Sequence, residues 1–344
     1  MNKYKFAYKW NLADGYPAPN IEKHGLKVFG TFICGGGSTM GYKLAGFEHL
    51  GGVEIDPQVA DVYKTNHNPK YLFVEDIREF ADRTEFHEEL YNLDILDGSP
   101  PCSSFSMAGN REKDWGKEKV FREGQAKQRL DNLFFDYIKL AKKLQPKVVI
   151  AENVKGMLQG NAKAYIKKIK TEFEKAGYKV QLFLLNAASM GVPQKRERVF
   201  FICQRNDLNY KPLKLSFDEN IIPFKNIEQN DNRKQANGEI LKYLSLTKEG
   251  KSLASVHPKE NFFTSKRINK NDVINTIASG SNLFHYQKNE YLSNNELKLA
   301  GTYPLDYNFK KIEPQYLIGM SVPPVMTAQV AHQIYLQWFK KTAQ

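Results

Sequence analysis

Residues 26–56, LKVFGTFICGGGSTMGYKLAGFEHLGGVEID, decide the fold. The apolar run from Leu26 ends at Cys34-Gly35-Gly36-Gly37, and an amphipathic stretch follows to Ala45. HLGGVEID is then a second short run that ends on Glu54 and Asp56. This order reads as strand, glycine turn, helix, strand. Outward from it the alternation continues: helical PQVADVYKTNH, strand YLFVEDI ending on Asp76, and LDILDGSPPC running into a Pro-Pro turn. A helix over 132–144, the strand KVVIAENV, a helix over 161–176 and the strands YKVQLFLLNA and VFFICQ complete the series. Alternating strands and helices predict an α/β fold, a mostly parallel sheet with helices on both faces. Ligands of such sheets sit at the carboxyl ends of the strands, where the motifs below are expected to gather.

The chain has 344 residues, 41% of them hydrophobic, and a formal net charge of +12, a balance that favours a polyanionic partner without separating DNA from RNA. No apolar run approaches the roughly 18 residues of a membrane span, and the N-terminal stretch lacks the apolar core of a secretion signal. A cytoplasmic protein is expected. Three scattered cysteines, Cys34, Cys102 and Cys203, argue against a disulfide framework or a structural metal site. Residues 1–26 are polar, irregular and unassigned. A catalytic and cofactor-binding domain is expected over 27–204, then an Asn-, Lys- and Pro-rich, loop-rich module over 205–275. Between 206 and 271 it holds twelve Lys and Arg against eight Asp and Glu. Residues 276–344 are expected to return to the first domain, ending in the helix MTAQVAHQIYLQWF.

The glycines after the first strand would let a ligand approach the backbone, although a tight turn alone gives the same pattern. Glu54, about twenty residues on, stands where an acid accepts hydrogen bonds from a ribose, and Asp76 could receive an adenine amino group. A dinucleotide would fit equally well. In Gly98-Ser99-Pro100-Pro101-Cys102 two prolines stiffen the chain before a thiol, which is either a positioned nucleophile or a small buried side chain. Glu152 ends the adjoining strand, where a carboxyl group suits proton delivery. Arg196 and Arg198, in Gln194–Arg198, share a face of an extended segment; one could hold a base carbonyl or phosphate and the other a carboxylate.

Together, FICGGGSTMGYKLAGF, GSPPCSSFS, ENV, QKRER, YLSNNELKLAGTYP and IGMSVPP resemble, in order, the motifs of the cytosine-5 DNA methyltransferase family. The resemblance implies a Rossmann-like S-adenosylmethionine-dependent methyltransferase sheet with a smaller target-recognition domain over 205–275. It implies Cys102 as nucleophile, Glu152 on cytosine N3, Arg198 on the base carbonyl and Arg196 supporting the acid. Phe32, Cys34, Gly36, Gly37, Glu54, Ile55, Asp76, Ile77, Pro100, Leu133, Ser321 and Val322 would bind the cofactor. Ser103 to about Arg129 would be a mobile catalytic loop. Cys34 stands where the family has glycine and Met320 where it has asparagine.

The expected activity is methyl transfer from S-adenosylmethionine, giving S-adenosylhomocysteine, to carbon 5 of a flipped-out cytosine within a short duplex DNA sequence. Rival readings are a tRNA cytosine-5 methyltransferase on the same scaffold and a catalytically inactive DNA-binding member; nicotinamide dehydrogenase gives no reason for PPC, ENV and QKRER. A prokaryotic or phage-type monomer is expected, either the partner of a cognate restriction endonuclease or an orphan, with no membrane association and no metal.

Overall fold

The computed structural model describes residues 5–16, 21–101, 132–159 and 162–340. In chain order the first elements are β1 (Lys27–Thr31), α1 (Gly37–Leu44), β2 (Glu48–Glu54), α2 (Pro57–His67), β3 (Tyr71–Val74), α3 (Ile77–Asp82) and β4 (Ile95–Gly98). Next come α4 (Leu133–Leu144), β5 (Val148–Val154), α5 (Ala162–Lys175), β6 (Tyr178–Asn186) and β7 (Glu197–Arg205). The remainder comprises α6 (Gly238–Leu246), β8 (Ser265–Arg267), β9 (Asn282–Phe284), α7 (Asn294–Ala300), α8 (Pro314–Met320) and α9 (Pro324–Ile334), followed by a π-helical turn, Tyr335–Phe339.

Local chemistry sets several of these boundaries. Asp56 caps α2, accepting from Gln58 N at 2.9 Å and Val59 N at 3.3 Å, with Pro57 in the first turn. Ser293 and Glu296 close a reciprocal capping box on α7.

Seven strands form one sheet in the order β3-β2-β1-β4-β5-β7-β6. The first five are mutually parallel, whereas β7 runs antiparallel to both β5 and β6. The central strands are mostly apolar because both faces are covered. Val28, Ile95, Val148, Ile150, Phe200 and Ile202 belong to the core beneath α1, α2 and α9. Their neighbours Phe29, Leu96, Val149, Ala151, Val199 and Phe201 belong to the core beneath α3, α4 and α5. Strand order reverses between β1 and β4, which opens a crevice at their carboxyl ends.

The stretch after β7 divides. Leu213, Ile222, Phe224 and Ile227 join the main core, whereas Ala236, Leu244, Leu253 and Phe284 form a small core of their own. With little apolar surface to bury, this second unit relies on a polar hub. The Arg267 guanidinium donates to the carbonyls of Leu244, His285, Tyr286 and Lys288 and to Asn289 Oδ1. Among the described residues no helix is long and apolar enough to cross a membrane.

Candidate active site

The crevice holds a cavity of about 870 Å³, its open mouth included. Phe32 and Cys34 line it from the turn after β1, Glu54 and Ile55 from the end of β2, and Glu75, Asp76 and Ile77 from the end of β3. Ser99 and Pro101 follow β4, Leu133 opens α4, and Tyr316 and Met320 reach in from α8. Glu54 is held by the backbone: Oε2 accepts from Cys34 N at 2.9 Å and Oε1 from Asp56 N at 3.0 Å. Burial raises its pKa against these bonds. Asp76 Oδ1 caps α3 through Arg78 N and also meets Arg78 Nε at 3.1 Å. Burial, assisted by the Glu54 charge, pushes the Cys34 thiol up to about 12, which disfavours the thiolate.

Seven residues expected at the cofactor therefore line the cavity: Phe32, Cys34, Glu54, Ile55, Asp76, Ile77 and Leu133. Gly36, Gly37, Pro100, Ser321 and Val322 are not among its walls. The glycines lie in close packing. Gly36 has φ +74°, and a Cβ there would lie 2.7 Å from His67 Cδ2. A Cβ on Gly37 would overlap the Val322 carbonyl and lie 2.9 Å from Ser321 Cβ. Ser321 and Val322 thus pack against the turn, and Tyr303 Oη donates to Ser321 Oγ at 2.7 Å. Met320 belongs to the IGMSVPP motif, whereas Tyr316, on the same helix α8, carries no local signal in the sequence.

Glu152 sits on β5 at the same edge, opposite Phe200 of β7, with Val154 opposite Arg198. Arg198 Nε meets Glu152 Oε1 at 2.9 Å, and both side chains are largely buried. Arg198 Nη1 donates to Glu197 O at 2.8 Å. Burial lowers the Arg198 pKa, while Glu152 opposes that shift. The contacts reverse the expected support of the acid: Arg198, not Arg196, pairs with Glu152. Arg196 precedes β7, where Gln194 bridges to Ile274, so its side chain meets the returning chain. It donates to Ile277 O at 2.8 Å and Gly319 O at 2.9 Å. Burial pushes its pKa down to about 9.

Asn153 ties the two regions together, its Nδ2 donating to Pro100 O at 2.9 Å. Pro101 is the last described residue of that turn, so Cys102 and the expected loop from Ser103 to about Arg129 lie outside the described residues. Sequence reading passed over one buried acid nearby. Asp97 of β4 accepts from Tyr42 Oη at 2.9 Å, and burial pushes its pKa up to about 6.

Solved structures share this mostly parallel α/β fold. A prophage-encoded protein of E. coli, a candidate DNA modification methyltransferase, superposes with a TM-score of 0.66 at 18% identity, over 91% of this chain and 99% of its own. Spodoptera frugiperda DNMT2 gives 0.64 at 16% identity, over 90% and 100%. Among curated proteins, type II methyltransferase M1.HphI of Haemophilus parahaemolyticus is 29% identical over 332 residues, covering 90% of this chain and 86% of that one. M.FnuDI of Fusobacterium nucleatum is 40% identical over 184 residues, 54% of this chain but 48% of its own length. The model of the C-5 cytosine-specific DNA methylase family matches residues 26–336, and the chain belongs to that family.

Proposed function

We propose that this protein transfers a methyl group from S-adenosylmethionine to carbon 5 of cytosine within a specific short sequence of duplex DNA, with Cys102 as nucleophile. One observation carries the reading. Ser99 and Pro101 line the cavity that holds Glu54 and Asp76, while the Pro100 carbonyl is bound by Asn153, the neighbour of Glu152. A single turn borders both the acid-lined cavity and the Glu152–Arg198 pair, and Cys102 is its next residue.

The donor set fits the cofactor. Each Glu54 oxygen already holds one amide and retains acceptor capacity for a ribose hydroxyl. Asp76 suits an adenine amino group, and Phe32, Ile77 and Leu133 supply apolar walls. The carboxylates favour a cation. The bound cofactor supplies a methyl carbon made electrophilic by its sulfonium. Cytosine is a poor electrophile, so Glu152 activates it by giving a proton to N3, and Arg198 stabilises the carboxylate that remains. The Cys102 thiolate forms a bond to C6, which places the electron pair on C5 and makes that carbon the nucleophile. After methylation a base takes the C5 proton, the sulfur–C6 bond breaks and the thiolate leaves, N3 returns its proton to the Glu152 carboxylate, and the ring recovers aromaticity. Such chemistry requires the base to leave the stack.

Residues 205–275 we assign to reading the DNA sequence. The named relatives are type II methyltransferases, so a restriction–modification role, with a monomer acting in the cytoplasm, is the context we infer. The test is incubation with tritiated S-adenosylmethionine and unmethylated duplex DNA, followed by mapping of 5-methylcytosine. Label at carbon 5 within one short motif supports the reading. Label on tRNA alone moves it to the RNA enzyme, and label on neither overturns it.

A further inference from the structure

Residues 5–16 precede the segment matched by the family model and form neither helix nor strand, yet they are fastened to one distant stretch. Trp10 Nε1 donates to Thr302 O at 3.1 Å, and Trp10 O accepts from Leu305 N at 2.9 Å. The Asp306 carboxylate accepts from Leu12 N at 2.6 Å and Ala13 N at 2.9 Å. Phe6 and Trp10 are buried in the main core, with Phe6 edge-on to His332.

The stretch held in this way reaches the turn after β1. Tyr307 Oη donates to the Gly35 carbonyl, and His67 Nε2 lies 3.3 Å from that hydroxyl and 3.5 Å from the same carbonyl. Since the tyrosine proton goes to Gly35, His67 contributes its own Nε2–H, and its buried Nδ1 has no partner among the described residues. Burial pushes the His67 pKa down to about 3, so the ring stays neutral. The turn needs holding. Phe32 and Cys34 have φ of +54° and +47°, a region that non-glycine residues occupy only when their surroundings enforce it. Both residues line the cavity, and the Cys34 amide fixes Glu54.

We propose that residues 5–16 act as a brace for the cofactor turn: through Thr302–Tyr307 they keep Phe32–Gly35 in the shape the cavity requires, so cofactor affinity depends on the N-terminal segment. The proposal rests on the cofactor reading above and makes Trp10, Asp306 and Tyr307 positioning residues.

The test measures S-adenosylhomocysteine binding by calorimetry in the full chain. Variants are Trp10→Phe, which keeps an aromatic ring but loses the indole donor and some buried volume, Asp306→Ala, Tyr307→Phe and the Asp306→Ala/Tyr307→Phe double. Each single variant should raise the Kd roughly 3- to 10-fold, the worth of one or two hydrogen bonds. Duplex DNA affinity should remain that of the wild type. If the brace acts through Tyr307, the double variant is no weaker than Tyr307→Phe alone. Amide exchange at residues 34–38 should also quicken in the ligand-free variants. Lower thermal stability with an unchanged Kd and unchanged exchange would overturn the brace. A wild-type chain that binds no cofactor would instead overturn the reading beneath it.

Discussion

Gly37→Ala separates two accounts of the glycines after β1. Gly37 opens α1, and its φ lies outside the left-handed region, so an alanine there carries no backbone penalty. In open space the change would stabilise the helix by up to about 1 kcal/mol. The space is closed: a Cβ would overlap the Val322 carbonyl, lie 2.9 Å from Ser321 Cβ and 3.2 Å from Tyr303 Oη. Two of these atoms belong to the backbone or the base of a side chain, so no flexible tip can swing aside. Overpacking of this kind costs typically ~1–3 kcal/mol, and overlap with a backbone carbonyl belongs at the upper end. The net expectation is a loss of about 2 kcal/mol, a fall of roughly 0.6 M in the urea midpoint at unchanged slope. Gly280→Ala is the control, because a Cβ there meets nothing within 4 Å among the described residues; it should change stability by less than about 0.5 kcal/mol. If Gly37→Ala is as stable as Gly280→Ala, the packing account is wrong.

The arginines should part company. Arg196→Lys leaves one of the Ile277 and Gly319 carbonyls unpaired and should cost ~1–3 kcal/mol in denaturant unfolding, whereas Arg198→Lys should lose more turnover than stability; the reverse pattern would exchange their roles. Glu152→Gln should lower methyl transfer by about 10²–10⁴-fold with DNA affinity retained, and single-turnover rates near wild type would remove Glu152 from proton transfer. Asp97→Asn keeps an acceptor for Tyr42 and abolishes a buried charge. The folded pKa of Asp97, about 6, stands above its unfolded value, so its contribution to stability is present below pH 4 and lost as pH rises through 6. The variant should therefore gain on the wild type at pH 8, by at most about 3 kcal/mol, and the gap should shrink toward pH 5; a gap independent of pH would contradict the titration.

Most strands could be read because their apolar runs are buried on both faces, as in Val148–Ala151. The acids that line the cavity could be read too, since Glu54 ends a strand and Asp76 lies two residues beyond one. Distant partners could not. Tyr303 and Tyr307 lie more than 260 residues from the turn they close, and nothing near them in sequence marks that target. Residues 5–16 look irregular because the backbone bonds that order them go to residues 302–306 rather than to a local helix or strand. Leu213, Ile222, Phe224 and Ile227 read as isolated apolar residues in a polar module, yet they help fill the main core. Spacing placed Arg196 and Arg198 on one face but left open which would meet Glu152.

Strand direction was the deepest gap, because a period of two is the same read forward or backward. It is also what makes the site. The QKRER motif leads into its strand and supplies its first two residues, so a parallel β7 would carry it to the amino edge of the sheet. Across the nine residues of β7, that edge is about 26 Å from the carboxyl end, far beyond the reach of any side chain. Because β7 is antiparallel to β5, its first residues instead lie beside the last residues of β5, with Arg198 opposite Val154 and Phe200 opposite Glu152. One reversed strand therefore brings the guanidinium to the carboxylate and leaves Arg196, just outside the ladder, free to fasten Ile277 and Gly319. An insertion of one residue between Arg198 and Val199 would turn Arg198 to the opposite face of the sheet, and it should abolish methyl transfer even where the chain still folds and binds DNA.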